Sequence, residues 1–345
     1  MEHILITGGA GFIGSNFIPY FLEENPELHV INIDALTYAG NLENLEAIDN
    51  HQRYTFIKGD ICNRHLIEKL FNIYDIKHVI HFAAESHVDN SIKNPDAFMR
   101  TNILGTFNLI DVAKKHWMIA PGIYKADYTN SRFHHVSTDE VYGTLGKKGL
   151  FKETTPYAPN SPYSASKASS DFIVRSYHHT FGMNVVTTNC SNNYGPNQHD
   201  EKLIPTIIRK AIFNQPIPIY GDGLNVRDWL YVLDHCKGIA LAFQKGEAGE
   251  TYNIGGRNER TNLYIATKIC ELLDKVKPLQ TGKSYLELIT YVEDRAGHDF
   301  RYAIDASKIE KELGWKAEEN FETGIEKTLK WYLAEYISKK EKNLS

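Results

Sequence analysis

Through the first 190 residues, short apolar runs alternate with longer segments whose hydrophobic positions recur at helical spacing. The runs "HILITG", "HVINID", "YTFIKGD", "HVIHFAA", "RFHHVST" and "NVVTTNC" have strand length and are apolar almost without interruption. A strand that alternates apolar and polar residues buries one face, whereas one that is apolar throughout is covered on both. With one helical segment between successive runs, the pattern predicts βαβ units and a doubly wound parallel α/β sheet. Beyond about residue 190 the rhythm loosens. There "QPIPIYGDG" is rich in proline and glycine, "DWLYV" and "ETYNIGG" read as short strands, and "NLYIATKICELLDKV" and "FETGIEKTLKWYLAEYI" read as helices, with "SKKEKNLS" as a solvated tail. This predicts one domain over 1–190 and a smaller mixed α/β domain over 191–345, with some segments interleaved.

Composition narrows the partners. A chain of 345 residues with 42% hydrophobic and 23% charged residues and a net charge of −5 has no general attraction for nucleic acid or for an anionic membrane surface. Any anionic ligand must therefore be held locally. No uncharged run approaches the roughly 18 residues of a membrane span. Cys62, Cys190, Cys236 and Cys270 form no CxxC pair, and "MEHILITGG" carries neither a basic leader nor a cleavable apolar segment, so a reduced cytoplasmic setting is expected. The pairs His134–His135 and His178–His179 have no zinc-type spacing, and no bound metal is expected.

The first strand runs into "TGGAGFIGSN", where Gly8, Gly11 and Gly14 precede a helical segment. Glycine permits a tight turn and lets backbone approach a pyrophosphate, whose charge then sits at a helix N-terminus. Asp34 ends the second strand 20 residues beyond Gly14, where a carboxylate can bond a ribose 2′-hydroxyl. That carboxylate would repel the 2′-phosphate of NADP, so the expected cofactor is NAD and the first domain reads as Rossmann-like.

Two further stretches carry chemistry. In "YSASK", Tyr163 and Lys167 lie one helical turn apart and face the same side. A phenol pKa near 10 must fall by about 3, worth about 4 kcal/mol, for tyrosine to act as a base at neutral pH; an ammonium and a positive nicotinamide ring could provide this. In "STDEVYG", Asp139 and Glu140 stand side by side. Adjacent side chains of a strand point to opposite faces, so both acids can serve one site only if the strand has already ended, as the following turn allows. Neighbouring like charges also separate carboxyl pKa values, so one acid can stay protonated while the other is ionised.

Taken in this order, "TGGAGFIG", "HFAAESHVDNSI", "STDEVYG" and "YSASK" resemble the extended short-chain dehydrogenase/reductase family, in particular its nucleotide-sugar dehydratases. Similarity extends across nearly the whole chain in "NCSNNYGPNQ", "KLIP", "GDGLNVRDWLYV" and "DRAGHDFRYAID". One departure is visible: Ala296 stands where the family commonly has proline. The resemblance implies a sugar-nucleotide substrate that is oxidised at C4, loses water across C5 and C6, and regains hydride at C6. Thr138 and Tyr163 would hold and deprotonate the C4 hydroxyl, with Lys167 beside them, while Asp139 protonates the leaving C6 hydroxyl and Glu140 takes the C5 proton. For the cofactor it implies, besides the three glycines and Asp34, Phe12 and Ile13 in the first turn, Leu36 and Thr37 after the second strand, and Asp60 and Ile61 after the third. Phe82, Ala83, Ala84 and Ser86 follow the fourth, and Thr101, Tyr163 and Lys167 complete the set. For the substrate it implies Ser86, His87 and Thr138 at the sugar, and Asn192, Arg227, Asn262, Arg295 and His298 toward the diphosphate. Lys202, Leu203, Pro218 and Tyr220 would surround the base.

It also implies a homodimer built on helices starting near Thr101 and Tyr163. Two other readings stay open: a nucleotide-sugar 4-epimerase, which needs Tyr163 and Lys167 but not two acids, and a non-catalytic NAD-binding sensor. A GDP-mannose dehydratase fits less well, because its usual NADP preference conflicts with Asp34.

Overall fold

The computed structural model of the protein describes residues 1–294 and 299–342. Its centre is a seven-stranded sheet in the order Thr251–Ile254, Val185–Cys190, Arg132–Thr138, Ile76–His81, Glu2–Thr7, Leu28–Asp34, Tyr54–Lys58. All six pairings are parallel. Counted in chain order, the sheet runs 3-2-1-4-5-6-7, the doubly wound Rossmann arrangement with one added edge strand. That edge strand, from "ETYNIGG", comes from the second half of the chain.

The first strand shows why its sequence is apolar on both sides. Ile4 and Ile6 enter one core with Phe17, Phe21 and Ile239, while Leu5 enters the opposite core with Leu109, Trp117 and Val174. Each such side chain contributes roughly 1.5–3 kcal/mol on burial, so both faces resist polar substitution. A third core, including Tyr194, Ile207, Trp229, Ile269 and Phe321, forms under the segments after residue 190. The last helix, Phe321–Lys342, continues into the stretch read as a solvated tail, where lysine and glutamate are good helix formers.

Two local features set up the site. Ser161 caps the helix Pro162–Phe181 in a reciprocal capping box with Ser164; Pro162 occupies its first turn, and Gly182 closes it in the left-handed region. Tyr163 is thereby held in the first turn. The expected helix near Thr101 instead begins as a π-helical turn, Met99–Gly105, followed by the α-helix Thr106–Trp117. The turn presents Asn102 to Glu85, whose N–H it accepts at 2.8 Å, and to Ser166, to which it donates at 2.8 Å.

Candidate active site

A cleft of about 320 Å³ opens at the carboxyl ends of the strands, where the chain order reverses beside the first strand. One end is the glycine turn. Gly8 has φ +73°, and a Cβ there would lie 2.7 Å from the Ala83 backbone; a Cβ on Gly14 would meet the Gly8 carbonyl at 2.5 Å. The first position needs glycine for conformation and both need it for approach. The helix Phe12–Glu24 starts here with no side-chain cap and no acid in its first turn, leaving backbone N–H groups and a positive helix end for an anion. Asp34 is buried, accepting from Ala10 N–H at 2.9 Å and Leu36 N–H at 2.8 Å. Burial raises its pKa, opposed by those two donors. A buried carboxylate beyond a glycine cradle fits a dinucleotide whose ribose sits at Asp34.

The other end holds the reactive groups. The strand Arg132–Thr138 stops at Thr138, whose Oγ1 accepts the Glu140 N–H at 3.3 Å and caps a 3₁₀ turn, Asp139–Tyr142. The break in extended geometry brings both acids to the cleft. Asp139 is 2% exposed, and its Oδ2 has no hydrogen-bond partner among the described residues. Burial pushes its pKa well above the carboxylate range, and Glu140 and Asp228 add to the shift against Arg227. Burial leads, and the neighbouring charge comes second. Tyr163 is also buried and pushed up, by burial, Glu140 and Cys190, with a hydrogen bond to Thr138 working the other way. Lys167, 4% exposed, donates to the Val136 carbonyl at 2.9 Å.

Most of the expected residues line this one cleft. Gly8, Gly11, Phe12, Ile13, Gly14, Asp34, Thr37, Asp60 and Ile61 do so, as do Phe82, Ala83, Ala84, Ser86 and Thr101; Thr138, Asp139, Glu140, Tyr163, Lys167, Asn192 and Lys202 complete the set. Leu36, His87, Leu203, Pro218, Tyr220, Arg227 and Asn262 stand outside that lining. Leu36 has φ +53° and lends its N–H to Asp34; His87 caps the helix Val88–Lys93. Arg227, 5% exposed, donates to the carbonyls of Val226, Asp299 and Phe300 and stacks 4.3 Å over Tyr302, so these guanidinium contacts hold the chain that follows residue 298. Arg295, Ala296 and His298 lie outside the described residues. The cleft also contains Tyr38, Glu85, Asn193, Gln198 and Glu201, which motif reading passed over. Glu85, Asn193 and Gln198 sit inside the motifs given above, and Tyr38 and Glu201 sit just outside them, but nothing in the spacing distinguishes which side chains face inward. Buried acceptors on Asn192, Asn193 and Gln198 lack partners among the described residues, which suits a polar ligand.

Fold and site together define an NAD-type enzyme of the short-chain dehydrogenase/reductase class, with two acids added to its threonine, tyrosine and lysine. The chain belongs to the family described as GDP-mannose 4,6 dehydratase, which matches residues 5–328. It is 55% identical over 340 residues to the dTDP-glucose 4,6-dehydratase of Salmonella typhimurium, covering 96% of this chain and 92% of the relative. The crystal structure of DesIV, a dTDP-glucose 4,6-dehydratase from Streptomyces venezuelae with NAD and TYD bound, matches with TM-score 0.86 and 42% identity, covering 96% of this chain and 97% of that one. A UDP-glucose 4-epimerase from Thermotoga maritima reaches TM-score 0.84 at only 27% identity, covering 97% and 100%. The backbone alone therefore does not separate dehydratase from epimerase. No helix among the described residues is long and apolar enough to cross a membrane.

Proposed function

We propose that the chain converts dTDP-glucose to dTDP-4-keto-6-deoxyglucose and water, as an NAD-dependent hydro-lyase. The observation that carries this reading is the buried Asp139 carboxyl, whose Oδ2 has no hydrogen-bond partner among the described residues, beside Glu140 in a cleft that also holds Thr138, Tyr163 and Lys167. An epimerase has no work for two acids there. Bound NAD supplies the redox chemistry, accepting hydride from C4 at the start and returning it to C6 at the end. Tyr163, hydrogen-bonded with Thr138, removes the C4 hydroxyl proton. Since burial pushes that phenol up, Lys167 and the cofactor's positive ring must together bring it down. The resulting ketone acidifies C5, whose proton passes to Glu140. Asp139, kept protonated by burial, gives its proton to the C6 hydroxyl, which leaves as water. Glu140 then returns a proton to C5 as hydride arrives at C6.

Arg227, Asn262, Arg295 and His298 belong to the diphosphate side of this reading, and Lys202, Leu203, Pro218 and Tyr220 to the base. Thymine and uracil differ by one methyl, about 1 kcal/mol in a pocket, so the choice of thymine rests on relatives named for dTDP-glucose. The description of the matching family names GDP-mannose, but Asp34 and those relatives favour the dTDP sugar with NAD. Four unpaired cysteines fit a cytoplasmic setting.

The test is product chemistry. Purified protein with dTDP-[4-²H]glucose should yield the 4-keto sugar, seen by its absorbance in alkali, with the label moved to the C6 methyl. Formation of dTDP-galactose would establish the epimerase, and unchanged sugar the sensor.

The same reading includes a homodimer. Leu104 and Phe107, on the turn and helix after Thr101, and Phe172, on the Tyr163 helix, are large apolar side chains left exposed on neighbouring helices. Light scattering should give twice the chain mass, and Leu104→Glu with Phe172→Glu should halve it. A wild-type monomer would remove the dimer from the proposal.

A further inference from the structure

The helix that carries Tyr163 and Lys167 continues the series one turn further with Asp171. Asp171 is 4% exposed and does not line the cleft. Its Oδ2 accepts from Ser137 Oγ at 2.9 Å and from the Tyr157 hydroxyl at 3.0 Å, while its Oδ1 lies 3.1 Å from His135 Nε2. Burial drives the His135 pKa far down, so its ring is neutral, and opposite a carboxylate, which can only accept, the tautomer that satisfies this contact is the one that donates through Nε2–H. The Tyr157 phenol is pushed far up, chiefly by burial and then by the Asp171 charge, and remains a donor. Three neutral donors converging on one buried carboxyl favour its charged form.

One turn back on the same helix is a cation in need of a counter-charge, and the two side chains are anchored on consecutive residues of one strand, Lys167 on Val136 and Asp171 on Ser137. Lys167 is buried, and its ammonium has the Val136 carbonyl as a neutral partner; an ammonium out of water is costly unless a counter-charge is close. The groups around the pair come from every packed element. Tyr163 shares their helix; His135 and Ser137 come from one strand, Cys190 from the strand paired on one side of it and His81 from the strand paired on the other; Tyr142 and Tyr157 come from the connecting segments. Asp139 and Glu140 lie across the cleft at Tyr163 and exchange protons with the sugar in the proposed reaction. Asp171 lies away from the cleft, so its charge can stay constant through the cycle.

We propose that Asp171 is the buried counter-charge that keeps Lys167 an ammonium and thereby sets the pH at which Tyr163 becomes a base. Asp171 is a positioning residue, acting through Lys167 without touching sugar or cofactor. The pKa directions agree: burial lowers Lys167 and Asp171 is the first influence opposing it, while Asp171 itself is raised to about 6 and so is ionised at neutral pH. Without that anion Lys167 sheds its proton more readily, and a neutral amine no longer draws Tyr163 down.

The inference takes from the proposed function only the role of Tyr163, and its test needs no sugar. In NAD-loaded protein, the tyrosinate ultraviolet absorbance that Tyr163→Phe abolishes is titrated with pH. Asp171→Asn keeps the shape and removes the charge, and should move that midpoint upward by about 1 pH unit or more. Tyr157→Phe, which removes one donor and makes Asp171 harder to ionise, should move it the same way by less. A folded Asp171→Asn holoenzyme whose midpoint coincides with the wild type's overturns the inference; if that variant does not fold, an unmoved midpoint in Tyr157→Phe does so. Protein inert to dTDP-glucose but with the shifted midpoint would instead fail the proposed function and leave the inference standing.

Discussion

Glu140→Gln should halt the protein halfway, with reduced cofactor accumulating to about one equivalent per site on addition of dTDP-glucose, while turnover drops about 10²–10⁴-fold. The amide has nearly the carboxylate's shape, and the backbone N–H of residue 140 still caps onto Thr138. What disappears is the one group able to take the C5 proton. C4 oxidation needs only Thr138, Tyr163 and Lys167, so it should survive and even become easier, because the Glu140 charge is one of the influences that raise the tyrosine. Reduced cofactor should therefore form down to a lower pH than in the wild type. Asp139 loses one raising influence but keeps burial, the larger one, so it stays protonated and idle. Near-ultraviolet absorbance of reduced nicotinamide follows the first half, and deuterium uptake at C5 from heavy water follows the second. Wild-type turnover in this variant would remove Glu140 as the base.

The features on which that argument depends are those the sequence makes most legible. The strand runs are continuous because both faces of each central strand are covered, as Ile4, Leu5 and Ile6 show. "GGAGFIG" announces its glycines because Gly8 and Gly14 have no room for a Cβ. "SPYSASK" carries its own helix start in Ser161 and Pro162. Placing "STDE" required one physical step, that the strand must end before the acids, and the 3₁₀ turn does this. Other features were not legible because they depend on contacts between distant segments. The edge strand Thr251–Ile254 pairs with Val185–Cys190 across some sixty residues, and "ETYNIGG" states no partner. The π-helical turn at Met99–Gly105 leaves no mark on hydrophobic period, yet it presents Asn102 to Glu85 and Ser166. Arg227 is an arginine in the expected segment, but three backbone carbonyls and the Tyr302 ring receive its guanidinium. The His134–His135 pair resolves into two neutral buried rings on Thr188 and Asp171.

Tyr163→Phe should produce the opposite failure to Glu140→Gln: no reduced cofactor on addition of dTDP-glucose, and turnover again lowered by about 10²–10⁴-fold. Phenylalanine keeps the ring, including its edge contact with Phe98 at 6.2 Å between centroids, and deletes only the phenol oxygen. NAD binding should be largely retained, since the glycine turn and Asp34 lie at the other end of the cleft. The two halves of the reaction then separate cleanly. Offered the finished 4-keto sugar in heavy water, Tyr163→Phe should still exchange the C5 proton, because the ketone is already present and Glu140 is intact; Glu140→Gln should not. Reduced cofactor appearing in Tyr163→Phe at the wild-type rate would show that the C4 proton leaves by another route. Loss of C5 exchange in Tyr163→Phe with Glu140 untouched would mean that the phenol also holds the ketone oxygen while charge develops there, joining two steps that the residue assignments treat as independent.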